Sequence, residues 1–160
     1  MVPRISDLIF MRITSPAFHH GGTIPQKYTC DGENINPPLV FQDVPSEAVS
    51  LVLITDDPDV PSSVREDNMW NHWVVFNIPP NTAYIKEGTE PEGAHGITTS
   101  GKLVYGGPCP PDRGHRYFFK LYALNTKLSL PEGSVKEDIV SAMKGYSIAK
   151  AELMGTYERK

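Results

Sequence analysis

Residues 105–124 read YGGPCPPDRGHRYFFKLYAL. The first half sets three glycines and three prolines between Gly106 and Gly114, and the second half is a nearly unbroken apolar run. Proline fixes φ near −65° and restricts the residue before it, so this loop has few conformations to lose on folding. In an extended chain, side chains alternate between faces. His115, Tyr117, Phe119 and Leu121 then share one face, while Arg116, Phe118 and Lys120 point the other way. A strand of this kind, entered from a stiff loop, is the pattern of a mainly β protein.

The same punctuation recurs outward from it. RITSPAF at 12–18, SLVLITDD at 50–57, HWVVFNI at 72–78 and KLVY at 102–105 are short apolar runs bounded by Gly, Pro or Asn, and each predicts a strand. ELMGTYER at 152–159 predicts a closing strand. The helix signal lies in SVKEDIVSAMKG at 134–145. There Ser134 and Glu137 have capping-box spacing, Val135, Ile139 and Met143 recur every fourth residue, and Gly145 can close the end. A two-sheet antiparallel sandwich with one or two short peripheral helices accommodates these elements.

Composition sets the frame. A chain of 160 residues without internal repeats or a linker-like stretch predicts one domain over 1–160, with residues 1–10 a loosely ordered extension. No run approaches the roughly 18 apolar residues of a membrane helix, and MVPRISDLIFMR does not resemble a signal peptide, which predicts a cytoplasmic chain without stable membrane insertion. The net charge of −4, with no basic cluster, argues against nucleic acid as a partner. Cys30 and Cys109 are far apart and lack metal-ligand spacing, so neither a disulfide framework nor a zinc site follows, and whether they pair is left open.

Three segments hold polar residues beside rigid turns. In DDPDVP at 56–61, Pro58 and Pro61 hold Asp57 at the end of a buried run. In WNHWVVFNI at 70–78, strict alternation puts Trp70, His72, Val74 and Phe76 on one face and Asn71, Trp73, Val75 and Asn77 on the other. The third is the opening stretch, with His115 at a strand start and Tyr117 two residues on. Each alone is more often an ordinary turn or a surface histidine; function requires the three to meet in space.

Together, DPDVP, WNHWVVFNI and GPCPPDRGHRYFFKLYAL resemble the signature segments of the phosphatidylethanolamine-binding proteins, also called Raf kinase inhibitor proteins. The likeness runs from Met11 to Arg159. It includes SPAF, IPQKYTCDGENINPPL and AELMGTYER, which are similar to the short bacterial and archaeal branch. The resemblance implies an antiparallel β-sandwich with a small anion pocket containing Asp57, Trp70, His72, His115 and Tyr117, walled by Pro110 and Pro111. The resemblance also implies modulation of a kinase or protease as a role; no cofactor and no metal are expected.

The chemistry is coherent without the name. An anion leaving water needs donors, and two imidazoles, a phenol and loop N–H groups supply them. Asp57 is expected to accept from one imidazole, so that the ring's other nitrogen points at the ligand, or from a protonated phosphate oxygen. Arg116 is expected to pair with Asp59 rather than with ligand. The leading expectation is therefore a binding protein for a small anion or phosphoryl group, on a phospholipid headgroup or a phosphorylated partner. The alternative is a hydrolase in which Asp57, His72 and His115 act as general base or metal site, with Cys109 the one tempting nucleophile. A homodimer is the prior expectation for a soluble chain.

Overall fold

The computed structural model describes residues 10–160. The extension expected at 1–10 lies, except for Phe10, outside the described residues. The strands are β1 (Arg12–Thr14), β2 (Leu39–Gln42), β3 (Ser50–Asp57), β4 (Trp70–Ile78), β5 (Tyr84–Ile85), β6 (Ala94–His95), β7 (His115–Leu124) and β8 (Ser147–Tyr157). One helix, α1 (Lys136–Met143), and a 3-10 turn (Gln26–Tyr28) complete the elements. The protein is mainly β, as the sequence predicts.

Two antiparallel sheets form: β1-β2-β5, and β6-β4-β3-β7-β8. Central strand β3 is buried at all eight positions, because both of its faces are covered. On one face Leu51 and Leu53 join Ile13, Leu39, Phe41 and Ile85 of the smaller sheet with Trp73, Tyr117, Phe119 and Leu121 in the inter-sheet core. On the other, Val52 and Ile54 pack with Val74, Phe76, Leu128, Ile139 and Met143 beneath α1. Burial on both faces explains why SLVLIT reads as a continuous apolar run instead of an alternating one.

β7 keeps the predicted alternation, with His115, Tyr117, Phe119 and Leu121 almost wholly buried. Its outward residues form their own stack, the Arg116 and Lys120 cations lying 5.5 and 5.6 Å from the Phe118 ring centre. Strict alternation fails in β4. Thr55 pairs with Trp73 and Asp56 with Asn71, so His72 is an extra residue at a bulge. A bulge reverses the faces on either side of it. Trp73 and Val75 therefore point into the inter-sheet core, and Val74 and Phe76 toward α1. His72 packs against Tyr117 on the inter-sheet side and does not share the face of Val74 and Phe76.

Other expectations need correction. KLVY forms no strand: Lys102 closes a turn with Thr98, and Leu103 and Val104 are exposed. The capping box is not made, because the Ser134 hydroxyl donates to the Pro131 carbonyl. The helix consequently starts at Lys136, after an exposed Val135, with Glu137 and Asp138 favourably placed in its first turn. β2, β5 and β6 went unread; each is only two to four residues long, too short for a periodic signal.

Candidate functional site

Antiparallel pairing brings three chain segments to one edge of the larger sheet. β3 ends at Asp57 where β4 begins at Trp70, the two being register partners, and β7 begins at His115 on the other side of β3. Asp57 is locked by its turn, one oxygen accepting the Asp59 N–H at 2.7 Å. Asp59 in turn holds Arg116 through both guanidinium and backbone N–H groups at 2.8–2.9 Å, the pair expected from the sequence. The Arg116 guanidinium holds the Asp59 carboxyl below the usual carboxylate range.

The loop before β7 forms the facing wall, and the 28–34 segment binds it. The Tyr105 hydroxyl donates to the Tyr28 carbonyl at 2.7 Å, Gly107 N–H to Asn34 Oδ1 at 2.8 Å, and Cys30 N–H to the Pro108 carbonyl at 3.1 Å. Cys30 and Cys109 form a disulfide across this contact, with Cα atoms 5.5 Å apart. The glycine at 107 is required by close approach: a β-carbon there would lie 2.3 Å from the Tyr28 carbonyl oxygen and 2.5 Å from Asn34 Oδ1. Glu90 braces the wall from behind, accepting from the Trp73 indole at 2.9 Å and from Tyr105 N–H at 3.2 Å.

Between these walls is a cleft of about 630 Å³. All seven residues singled out by sequence line it: Asp57, Trp70, His72, Pro110, Pro111, His115 and Tyr117. The Tyr117 ring stands between the two imidazoles, edge-on to His72 at 5.3 Å and stacked near His115 at 6.4 Å. Its buried hydroxyl faces the Asp57 carboxylate without a well-formed hydrogen bond, and Oδ1 of the cleft residue Asn71 is buried without a partner. Burial first, and then the charge of Asp57 and hydrogen bonding toward it, push the Tyr117 phenol far above its ordinary pKa, so it remains a donor.

The two histidines differ. His115 is 1% exposed and holds a carboxylate at each nitrogen, Asp57 Oδ2 at Nδ1 and Asp112 Oδ1 at Nε2, both at 2.6 Å. Both ring nitrogens are therefore engaged by carboxylates. The bond from His115 holds the Asp112 carboxyl below the usual range. The second nitrogen of His115 is thus occupied by Asp112 and does not point at a free ligand position, contrary to expectation. His72 Nδ1 lies 2.8 Å from the Gly106 carbonyl. A carbonyl only accepts, so the proton is on Nδ1. Burial pulls the His72 pKa below its ordinary value despite the raising effect of that carbonyl and of Asp57 and Asp56. In its neutral form the ring then carries its lone pair on Nε2.

Asp112, Gly106, Tyr105, Asn34 and Glu90 were not among the residues singled out. Asp112 had a signal, standing three positions before His115 in the stiff loop. The others act through backbone atoms or distant side chains, which spacing does not encode.

Comparison with known proteins agrees with the geometry. The family model described as phosphatidylethanolamine-binding protein matches residues 14–158. A UPF0098 protein of Chlamydia trachomatis is 54% identical over 149 residues, 93% of this chain and 99% of the relative. Another from Methanothermobacter thermautotrophicus is 51% identical over 155 residues, with the same two coverages. Among solved structures, the putative phosphatidylethanolamine-binding protein homolog CT736 from Chlamydia trachomatis superposes with a TM-score of 0.92 at 53% identity, over 94% of this chain and 99% of that one. YbcL of E. coli, described as a member of the mammalian PEBP family, gives 0.85 at 29% identity, over 95% and 100%. On this evidence the chain belongs to the phosphatidylethanolamine-binding protein family.

Proposed function

We propose that the cleft is a binding site for a small anion, above all a phosphoryl group on a lipid headgroup or a phosphorylated partner, and that the protein is a binding protein and not an enzyme. The observation that carries this reading is the cleft at the meeting point of three strands, where the buried Tyr117 hydroxyl, facing Asp57 without a well-formed hydrogen bond, lies close to both imidazoles. A buried donor left unpaired costs about 1–3 kcal/mol, which a ligand oxygen would recover. Pro110, Pro111 and the Cys30–Cys109 link hold the wall in place, which limits the ordering cost of binding. A kinase or protease bearing the phosphoryl group would act as the partner.

The hydrolase alternative loses support at two points. Cys109, its tempting nucleophile, is oxidised in the disulfide, and His115 could bind a metal only by giving up one of its carboxylates. Among the described residues no helix is long and apolar enough to cross a membrane. The cytoplasmic placement expected from sequence would favour the reduced pair, since disulfides persist in oxidising compartments. Rapid acid quenching of cells followed by thiol labelling reads the redox state directly.

Isothermal titration with inorganic phosphate tests the function. Saturable one-to-one binding that weakens about tenfold in Tyr117→Phe, with folding unchanged, is expected. Equal affinity in wild type and Tyr117→Phe would remove the carrying observation.

A further inference from the structure

The wall that faces the strand ends is fixed unevenly along its length. Tyr105, Gly106 and Gly107 each have an anchor: the Tyr105 hydroxyl donates to the Tyr28 carbonyl at 2.7 Å, Gly106 N–H to the His72 carbonyl at 3.0 Å, and Gly107 N–H to Asn34 Oδ1 at 2.8 Å. The tip beyond them, residues 108–114, has less to hold it. Its three prolines have no N–H to donate. Pro108 and Pro110 are buried, but Pro111, Asp112 and Arg113 are exposed. Among the described residues the bonds from this tip to the rest of the fold are the Pro108 carbonyl accepting from Cys30 N–H, the Asp112 contact with His115, and the Cys30–Cys109 disulfide.

The segment at the other end of the disulfide is a fixed post. Lys27 and Tyr28 both donate to Glu87, at 2.6 and 2.7 Å, and Asp31 accepts from the Tyr157 hydroxyl at 2.7 Å and from Arg159 at 2.9 Å. One covalent bond thus joins a weakly held tip to a well-held segment. That bond is also open to attack: Cys109 is exposed, Cys30 is half-buried, and both line the cleft. Thiol–disulfide exchange depends on access to the sulfur attacked, and exposed disulfides are the labile ones.

We propose that the Cys30–Cys109 disulfide is a thiol-exchange site and a redox latch on the cleft wall, opened in the folded protein by a dithiol reductant that attacks at Cys109. The reductant's thiolate bonds to Cys109 Sγ, the Cys30–Cys109 bond breaks, and Cys30 leaves as a thiolate that takes up a proton. The reductant's second thiolate then attacks its own sulfur in the mixed disulfide, which closes the reductant's internal disulfide and releases Cys109 to become a thiol. Two electrons and two protons pass from dithiol to protein. With the latch open, the tip keeps the Pro108 carbonyl contact and the Asp112–His115 bond, and residues 109–114 gain freedom to move. Pro110 and Pro111 line the cleft and Asp112 occupies His115 Nε2, so the same event opens that side of the cleft and loosens the hold on a ring nitrogen. None of this depends on what the cleft binds.

Dithiothreitol is the probe. The oxidised full chain, labelled with nitrogen-15, is treated with it in the absence of denaturant, and free thiols are counted by maleimide labelling and intact mass. Both cysteines should become thiols while the far-ultraviolet circular dichroism stays that of the oxidised protein. Amide order parameters of Asp112, Arg113 and Gly114 should then fall from about 0.85 to below about 0.6, the values of rigid and flexible backbone, with Tyr105, Gly106 and Gly107 staying near the rigid value. Reoxidation should restore them. Cys30→Ser/Cys109→Ser should show the low values with and without dithiothreitol; if that variant does not fold, the wild-type comparison between the two redox states decides alone. A pair that yields no thiols until denaturant is added overturns the latch, as does reduction that leaves the order parameters at 112–114 unchanged. Loss of the native dichroism on reduction overturns it too, because the bond would then hold the whole fold and not the tip. Failure of the latch leaves the anion-binding reading standing, and failure of phosphate to bind leaves the latch standing.

Discussion

Replacing Cys30 and Cys109 together with serine removes the disulfide that crosslinks the cleft wall to the 28–34 segment. The two residues are separated by 79 positions. In the chain-entropy model, closing a loop of that length removes about 15 cal/mol/K from the unfolded ensemble, or about 4.5 kcal/mol at room temperature; measured disulfides more commonly give about 2–4. Because the crosslink acts on the unfolded chain, the double variant should retain its strands and lose stability. Urea denaturation followed by far-ultraviolet circular dichroism measures this. A midpoint shift equivalent to about 2–4.5 kcal/mol is expected, together with a steeper denaturant dependence because the uncrosslinked chain exposes more surface. The Gly106 carbonyl and Asp112 lie on either side of Cys109, so the loosened loop should also hold His72 and His115 less firmly and bind phosphate more weakly. A stability loss below about 0.5 kcal/mol with the same steepness would refute the reasoning, since it would mean that the pair does not constrain the chain.

Further outcomes follow from the same structure. His72 has a folded pKa below its unfolded one, so the unfolded chain binds more protons. Stability should therefore fall as pH drops below about 6.5, by up to about 1.4 kcal/mol per pH unit until the folded pKa is reached, and a His72→Leu variant should lose this slope in pH-dependent urea melts. Gly107→Ala would drive a methyl group into the Tyr28 carbonyl and Asn34, and should cost about 1–3 kcal/mol while detaching the wall; thermal unfolding and phosphate titration read the two effects. Asp56 is fully buried between Lys120 and Lys136 at 3.1 and 2.8 Å, and Asp56→Ala leaves both amines without their carboxylate. A loss of about 3 kcal/mol in chemical denaturation is expected.

The sequence carried those features that repeat along one strand. The alternation in HRYFFKLYAL placed His115 and Tyr117 together, and proline spacing placed Asp57 at a strand end. It did not carry the bulge at His72, because a bulge is a property of two strands and leaves no mark on the period of one. Had alternation held, His72 would lie under α1 with Val74 and Phe76, away from Tyr117. The Ser134 cap failed for a related reason: a tertiary alternative, the Pro131 carbonyl, was within reach of the hydroxyl. Asp112 and the disulfide depend on how the 28–34 and 105–114 segments meet, which no local pattern determines. The two histidines looked equivalent in sequence and differ in role because only folding decides which nitrogen meets a carbonyl and which a carboxylate.

The central claim is that an anion occupies the floor beside Tyr117. A crystal structure of the full chain soaked with methyl phosphate tests it most directly. The account predicts the phosphoryl group within hydrogen-bond distance of both the Tyr117 hydroxyl and His72 Nε2. A well-ordered phosphoryl group bound elsewhere, or a cleft floor without it at saturating ligand, would contradict the claim.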